Sequence, residues 1–232
     1  MASVYKHLFF DLDHTLWDFE ANSRDTLYDL FLHQRLENIL KTDYETFYRT
    51  YIEINNELWS LYRIGKVTKE QLRATRFYKT FCSFHLDDRE FSSHFEKQYL
   101  KICPHKTQLL PGTEELLHYL HKRYELHVLT NGFAETQMIK MAKSGLNDFF
   151  GTMVSSEVVG VNKPDPRIFK ESLAQTGAKA ESALMVGDNL DADIIGAQQC
   201  GIDQVYYNPL CRAHRAKPTF EVSHLLQMKA FL

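Results

Sequence analysis

The sequence predicts an α/β fold: a doubly wound, Rossmann-like parallel sheet with an all-helical domain inserted after its first strand. Three observations carry this. From residue 109 onward, short apolar runs alternate with helical patterns, the grammar of parallel β/α units. Residues 17–108 show helical periodicity only. Each main apolar run ends in polar residues, as required if ligands bind beyond the carboxyl ends of the strands of an open sheet. The expected organisation is a core of residues 1–16 and 109–232, interrupted by a helical domain at 17–108.

The elements follow in order. Residues 8–12 form an apolar strand that stops at Asp11-Leu12-Asp13. Leu27, Leu30, Phe31 and Ile39 recur at three- and four-residue spacings, predicting a helix over about 22–40. Phe47, Tyr51, Ile54, Leu58 and Leu61 share one face of a second helix, over 44–62, which Gly65 breaks. Thr68 and Gln71 match a capping box that opens a third helix, and Asp87-Asp88 caps a fourth that ends near Pro104. The many aromatics of this stretch are expected to pack a helix-bundle core. After Pro111-Gly112 come a helix at 113–123, a strand at 125–130 and a helix at 134–144 closed by Gly145. A weak strand at 152–155 precedes a helix opened by Pro166. The strand at 183–187 leads into a helix that ends near Cys200. A strand at 205–207, a weak one at 219–222 and a terminal helix capped by Ser223 complete the chain.

Composition narrows the function classes. The chain has 232 residues, 44% hydrophobic and 25% charged, which is globular rather than disordered. A net charge of −3 supplies no field for nucleic acid or an anionic membrane surface. No apolar run approaches the roughly 20 residues of a membrane helix. No signal-peptide pattern precedes the first strand. The four cysteines, 82, 103, 200 and 211, show no CxxC pairing and are expected as reduced thiols. The expectation is therefore a cytoplasmic protein, neither nucleic acid nor membrane being a partner.

The chemistry gathers on one rim of the predicted sheet. Strand one ends at Asp11, Asp13 and Thr15. The strand at 125–130 ends at Thr130-Asn131-Gly132, and that at 183–187 ends at Gly187-Asp188-Asn189, with Asp191 and Asp193 next. Lys163 precedes the helix that feeds this last strand. Asp11 is suited to act as nucleophile, metal ligand or both, since carboxylates form aspartyl-phosphates. Asp13 is suited to carry a proton, because neighbouring carboxylates are driven to different protonation states. The Thr130 hydroxyl and the backbone N–H groups of Asn131 and Gly132, at a helix mouth, are candidate donors to a phosphate. Lys163 would hold Asp11 ionised beside that anion. Asp11 and Asp188 offer the hard oxygens that Mg²⁺ prefers.

Four motifs in order, DLDHT at 11–15, LTNG at 129–132, NKPDPRIF at 162–169 and VGDNLDADIIGA at 186–197, resemble the haloacid-dehalogenase-like (HAD) phosphohydrolase superfamily. The resemblance implies Asp11 as nucleophile, Asp13 as general acid/base, and Thr130 and Lys163 as phosphate ligands. It also implies Mg²⁺ on Asp11, Asp188 and the Asp13 backbone carbonyl. Asp193 aligns with the second acid of the fourth motif and would support Lys163 or metal-bound water. Asn189 and Thr15 would stand behind the ligands, and Asp191 has no assigned role. The insertion resembles the superfamily's subclass I helical cap, which closes to exclude water. Dehalogenating members lack the acid at Asp13, so the implied activity is a phosphatase.

The stretch Trp17-Asp18-Phe19, followed by Asn22 and Ser23, is similar to that of the bacterial house-cleaning pyrimidine 5′-nucleotidases. The implied substrates are nucleoside 5′-monophosphates such as dUMP, dTMP or UMP. Aromatics beside a phosphate site could stack a base. Asp18, Tyr62, Arg63 and Arg76 are further candidates for substrate contacts from the cap. The alternatives are a sugar-phosphate or phosphoglycolate phosphatase, a phosphomutase, or a phospho-ligand binding protein that has kept the fold and lost turnover.

Overall fold

The computed structural model describes residues 5–232; the first four residues of the expected core lie outside it. The chain divides into two compact units, Met1–Phe19 with Thr107–Leu232, and Glu20–Lys106. The inserted unit thus starts three residues later and ends two residues earlier than the sequence reading has it. Trp17, Asp18 and Phe19 fall in the first unit.

The first unit is built on a six-stranded, all-parallel sheet. Its strands are β1 (His7–Phe10), β2 (Glu125–Thr130), β3 (Thr152–Ser155), β4 (Ala183–Gly187), β5 (Asp203–Tyr207) and β6 (Phe220–Val222). The order is β3-β2-β1-β4-β5-β6. The chain winds outward from β1 through β2 to β3 on one side and from β4 to β6 on the other. The reversal between β1 and β4 is the crevice where open α/β sheets bind ligands. β1 is shorter than expected and gives up Leu12. The Leu12 carbonyl instead accepts the amides of Leu16 and Trp17, both at 2.9 Å, so the chain curls just after Asp11.

The inserted unit is helical: α1 (Phe19–His33), α2 (Leu36–Leu40), α3 (Tyr44–Arg63), α4 (Lys69–Cys82) and α5 (Arg89–Ile102). The single helix expected over 22–40 is two helices, because Arg35 turns left-handed at φ 53°. The Thr68–Gln71 capping box is present, and Asp43 and Asp88 cap α3 and α5. Phe47, Tyr51, Phe77, Phe81, Phe95 and Tyr99 are buried together. Tyr51 stacks on Phe77 with centroids 4.9 Å apart.

The remaining helices flank the sheet. They are α6 (Thr113–Leu120), α7 (Ala134–Lys143), α8 (Ser156–Val159), α9 (Pro166–Thr176) and α10 (Gly196–Gln198). α8 is not legible in the sequence, because one turn carries no periodicity. Ile168 and Phe169 of α9 and Ala197 of α10 pack with Phe9, Leu129, Val154 and Met185 in one buried cluster. The helix expected after β4 starts as a π-helical segment, Leu190–Ile195, a form frequent at functional sites. The terminal helix is a 3₁₀ segment, Leu225–Ala230, with His224 rather than Ser223 at its N-cap position and Gln227 Oε1 accepting the His224 amide at 3.1 Å. No helix among the described residues is long and apolar enough to cross a membrane.

Candidate active site

β1 delivers Asp11 to the centre of the sheet's carboxyl rim. Its amide donates to Val186 O of β4 at 2.9 Å, which keeps Asp11 anchored one residue beyond the strand. Lys163 reaches it from the loop before α9. The Lys163 ammonium lies 2.7 Å from Asp11 Oδ1, 2.6 Å from Leu129 O and 2.8 Å from Asp193 Oδ1. The first two are hydrogen bonds, and the third is an ion pair in which Asp193 Oδ1 is outside hydrogen-bond geometry. The Lys163 side chain is 2% exposed and that of Asp193 1%.

The electrostatics follow from that burial. Desolvation pushes the Asp11 carboxyl up to about 6; Lys163 opposes this, and Asp193 and Asp13 add to it. Desolvation likewise raises Asp188 to about 6, with His14 opposing and Asp11 adding. Burial also raises Asp193, against the pull of Lys163. Burial disfavours the charged form of Lys163, but Asp11 and Asp193 outweigh it and hold its ammonium above the usual range.

The π-helical segment explains how Asp193 reaches the site. Ile194 N donates five residues back to Asn189 O at 3.4 Å, and the Asn189 side chain caps Ala192 N at 2.9 Å. Asn189 N donates to Asp193 Oδ2 at 3.0 Å. A Cβ on Gly187 would lie 2.3 Å from that same Oδ2, so only glycine leaves room for the carboxylate. Thr15 is buried and donates to Asp188 Oδ1 at 3.2 Å.

One oxygen from each of Asp11, Asp188 and Asp193 lies within 4.8 Å of the others. Three crowded carboxylates against one ammonium are a donor set suited to a hard divalent cation. The Asp13 side chain is not in this cluster.

Around Thr130 the structure differs from the simple anion cradle. Gly132 N donates to Thr130 Oγ1 at 2.9 Å, so this amide is not free for a ligand. Gln137 Nε2 donates to the same oxygen at 2.8 Å. With both lone pairs accepting, the hydroxyl's remaining capacity is to donate its proton, which suits a phosphate oxygen. A Cβ on Gly132 would lie 2.2 Å from Gln137 Nε2, so the glycine makes room for this side chain rather than for a ligand. Asn131 clamps the Lys163 backbone: its Oδ1 accepts Lys163 N at 2.8 Å and its Nδ2 donates to Lys163 O at 3.0 Å.

Two residues at the site were missed in the sequence. Asp13 is held by Lys140 Nζ at 2.6 Å on Oδ1 and by Gln137 Nε2 at 2.9 Å on Oδ2. Both lie on α7, at i and i+3. The available signal was a lysine and a glutamine on the buried stripe of an amphipathic helix, directly after a strand-end motif.

The other expected contacts lie elsewhere. Trp17 is fully buried and receives the Lys140 ammonium 4.3 Å from its ring, with Phe19 at 5.7 Å. It does not present an open face for stacking a base. The Asp18 amide donates to Gln108 O at 3.1 Å. In the helical unit, Arg76 is buried and donates to both oxygens of Glu96 at 2.7 Å. This corrects Arg76 from a ligand contact to an internal ion pair. Arg63 is half-buried and donates to Ser60 Oγ at 3.0 Å, and Tyr62 packs edge-on against Trp59.

A buried carboxylate paired with a buried lysine thus stands beside an acid cluster at the switch point of a parallel sheet. The haloacid dehalogenase-like hydrolase model matches residues 5–201, and the chain belongs to that family. Among its relatives is the pyrimidine 5′-nucleotidase PynA of Streptococcus pneumoniae, 36% identical over 94% of this chain and 91% of that protein. Another is the pyrimidine 5′-nucleotidase YjjG of Escherichia coli, 31% identical over 97% of this chain and 96% of that protein. The magnesium-bound crystal structure of the HAD-hydrolase YfnB from Bacillus subtilis superposes with a TM-score of 0.88. It is 30% identical and covers 97% of both chains. The fold and the enzyme class expected from the motifs are thereby established.

Proposed function

We propose that this enzyme is a Mg²⁺-dependent phosphomonoesterase that hydrolyses pyrimidine nucleoside 5′-monophosphates through an aspartyl-phosphate on Asp11. The observation that carries the reading is the Lys163 ammonium bridging Asp11 and Asp193 at 2.7 and 2.8 Å. It keeps a buried carboxylate ionised and nucleophilic where a phosphate dianion would arrive. The similarity to two pyrimidine 5′-nucleotidases supports the substrate class. The first unit is then the catalytic core and the helical unit the cap. The four free thiols fit a reducing, cytoplasmic setting.

In this reading an Asp11 oxygen attacks phosphorus as the bond to the leaving oxygen breaks. Thr130 donates its hydroxyl proton to a phosphoryl oxygen, and Lys163 balances the charge that develops. Asp13 gives its proton to the leaving oxygen, releasing the nucleoside. It then takes a proton from the water that hydrolyses the aspartyl-phosphate. Asp11, Asp188 and the Asp13 carbonyl would hold Mg²⁺, which supplies neutralisation of the phosphate charge.

The test is phosphate release from dUMP, dTMP, UMP, purine nucleotides and sugar phosphates, with and without Mg²⁺. The expected result is preference for the pyrimidine nucleotides, loss of turnover with EDTA and loss in Asp11→Asn. Substantial turnover in Asp11→Asn refutes the nucleophile. Preference for a sugar phosphate keeps the chemistry and refutes the substrate.

A further inference from the structure

Asp13 has to work in both directions, as an acid toward the leaving group and then as a base toward water. Its side chain is 23% exposed, so nothing in its burial fixes the plane of its carboxylate. Two side chains of α7 do. Lys140 Nζ holds Oδ1 at 2.6 Å and Gln137 Nε2 holds Oδ2 at 2.9 Å. The same Gln137 nitrogen donates to Thr130 Oγ1 at 2.8 Å. One amide therefore joins the proton carrier to the phosphate-facing hydroxyl.

Three details accompany this arrangement. The Lys140 side chain is 5% exposed, and its ammonium rests over the Trp17 ring, so the indole and the carboxylate are its main surroundings. Gln137 is fully buried, yet its Oε1 has no hydrogen-bond partner. An orphaned buried amide oxygen is costly. Here it accompanies two donated bonds at the other end of the same amide. At position 132, glycine is the only residue type that lets the Gln137 side chain pass.

We propose that Lys140 and Gln137 are positioning residues for Asp13 in the reaction, with Trp17 and Phe19 seating the Lys140 ammonium. This rests on the phosphomonoesterase reading above. Each carboxylate oxygen keeps a second lone pair, so Asp13 can take and give its proton without breaking either hold. The Trp-Asp-Phe stretch acquires a role through Lys140 instead of through a nucleobase.

Leaving-group chemistry tests this. A nucleoside 5′-oxygen needs a proton to depart, whereas p-nitrophenolate does not. Hydrolysis of the aspartyl-phosphate needs Asp13 with either substrate. In Lys140→Met and in Gln137→Leu, kcat/KM for dUMP should fall about 100-fold, in the range that general acid catalysis contributes. With p-nitrophenyl phosphate, stopped flow should show a burst of about one nitrophenolate per active site, followed by slow turnover. Lys140→Arg, which keeps the charge, should recover part of the dUMP rate. An equal fall on both esters with no burst means that the residues only shape the site and overturns the proposal; so does unchanged turnover of dUMP. If Lys140→Met does not fold, Gln137→Leu carries the same burst test. Wild-type protein that releases phosphate from neither ester nor from any of the nucleotides and sugar phosphates named above refutes the phosphomonoesterase reading, and this proposal with it, without any variant.

Discussion

Lys163→Met keeps the length of the side chain and removes its charge. The structure sets the size of the effect. The substitution would leave Leu129 O without its 2.6 Å donor and Asp11 and Asp193 without their shared cation. Removing one partner of a buried ion pair costs about 3–5 kcal/mol, and an unsatisfied buried carbonyl adds about 1–3 kcal/mol. Near pH 8 the variant should lose about 5 kcal/mol. The loss should shrink on acidification, and the sign can be worked out. With Lys163 present, Asp11 already titrates at about 6, above an unfolded carboxylate. Without the lysine its folded value rises further. The folded variant then binds more protons than the unfolded chain, so its stability increases as pH falls toward the unfolded pKa. Each such carboxyl returns about 1.4 kcal/mol per pH unit, which amounts to about 2–3 kcal/mol by pH 5.5. The assay is urea denaturation in EDTA at several pH values. A loss under about 1 kcal/mol that is flat with pH would refute the view that Lys163 neutralises two buried acids.

Three other outcomes are expected. Gly187→Ala would drive a Cβ to 2.3 Å from Asp193 Oδ2; displacing that carboxylate should cost about 1–3 kcal/mol and lower kcat, whereas a wild-type melting temperature and rate would show that Asp193 moves freely. In the helical unit, Arg76→Met leaves Glu96 buried without its 2.7 Å partner and should cost about 3–5 kcal/mol, most of it recovered in Arg76→Met/Glu96→Met; chemical denaturation of the single and double variants decides this. His127 is buried in β2, its Nε2 3.2 Å from His7 Nδ1, and desolvation first, then His7, lowers its pKa to about 4. The unfolded chain therefore takes up the proton first, and stability should drop by up to about 3 kcal/mol between pH 6.5 and pH 4; His127→Leu should flatten that limb relative to wild type, and an identical slope would dismiss the assignment.

The sheet and the residues on its carboxyl rim are legible in the order of apolar and polar residues along the chain. β1, β2 and β4 are buried central strands, so they read as apolar runs, interrupted in β2 by His127, and the first polar residue after each run is Asp11, Thr130 or Asp188. Lys163 was legible from its motif, and the Thr68–Gln71 box because a cap is a contact between near neighbours. Which polar side chains meet across the chain emerges from the folded arrangement alone. Lys140 and Gln137 look like ordinary members of an amphipathic helix until β1 brings Asp13 beside them, from 127 and 124 residues away. Arg76 looked free because its partner Glu96 lies one helix further on. Trp17 looked like a platform for a ligand because burial is not written in an aromatic's identity. The left-handed turn at Arg35 and the π-helical segment before α10 have no strong local signature either. Local propensities name the elements; the pairing of charges depends on distances that exist only once the sheet has closed.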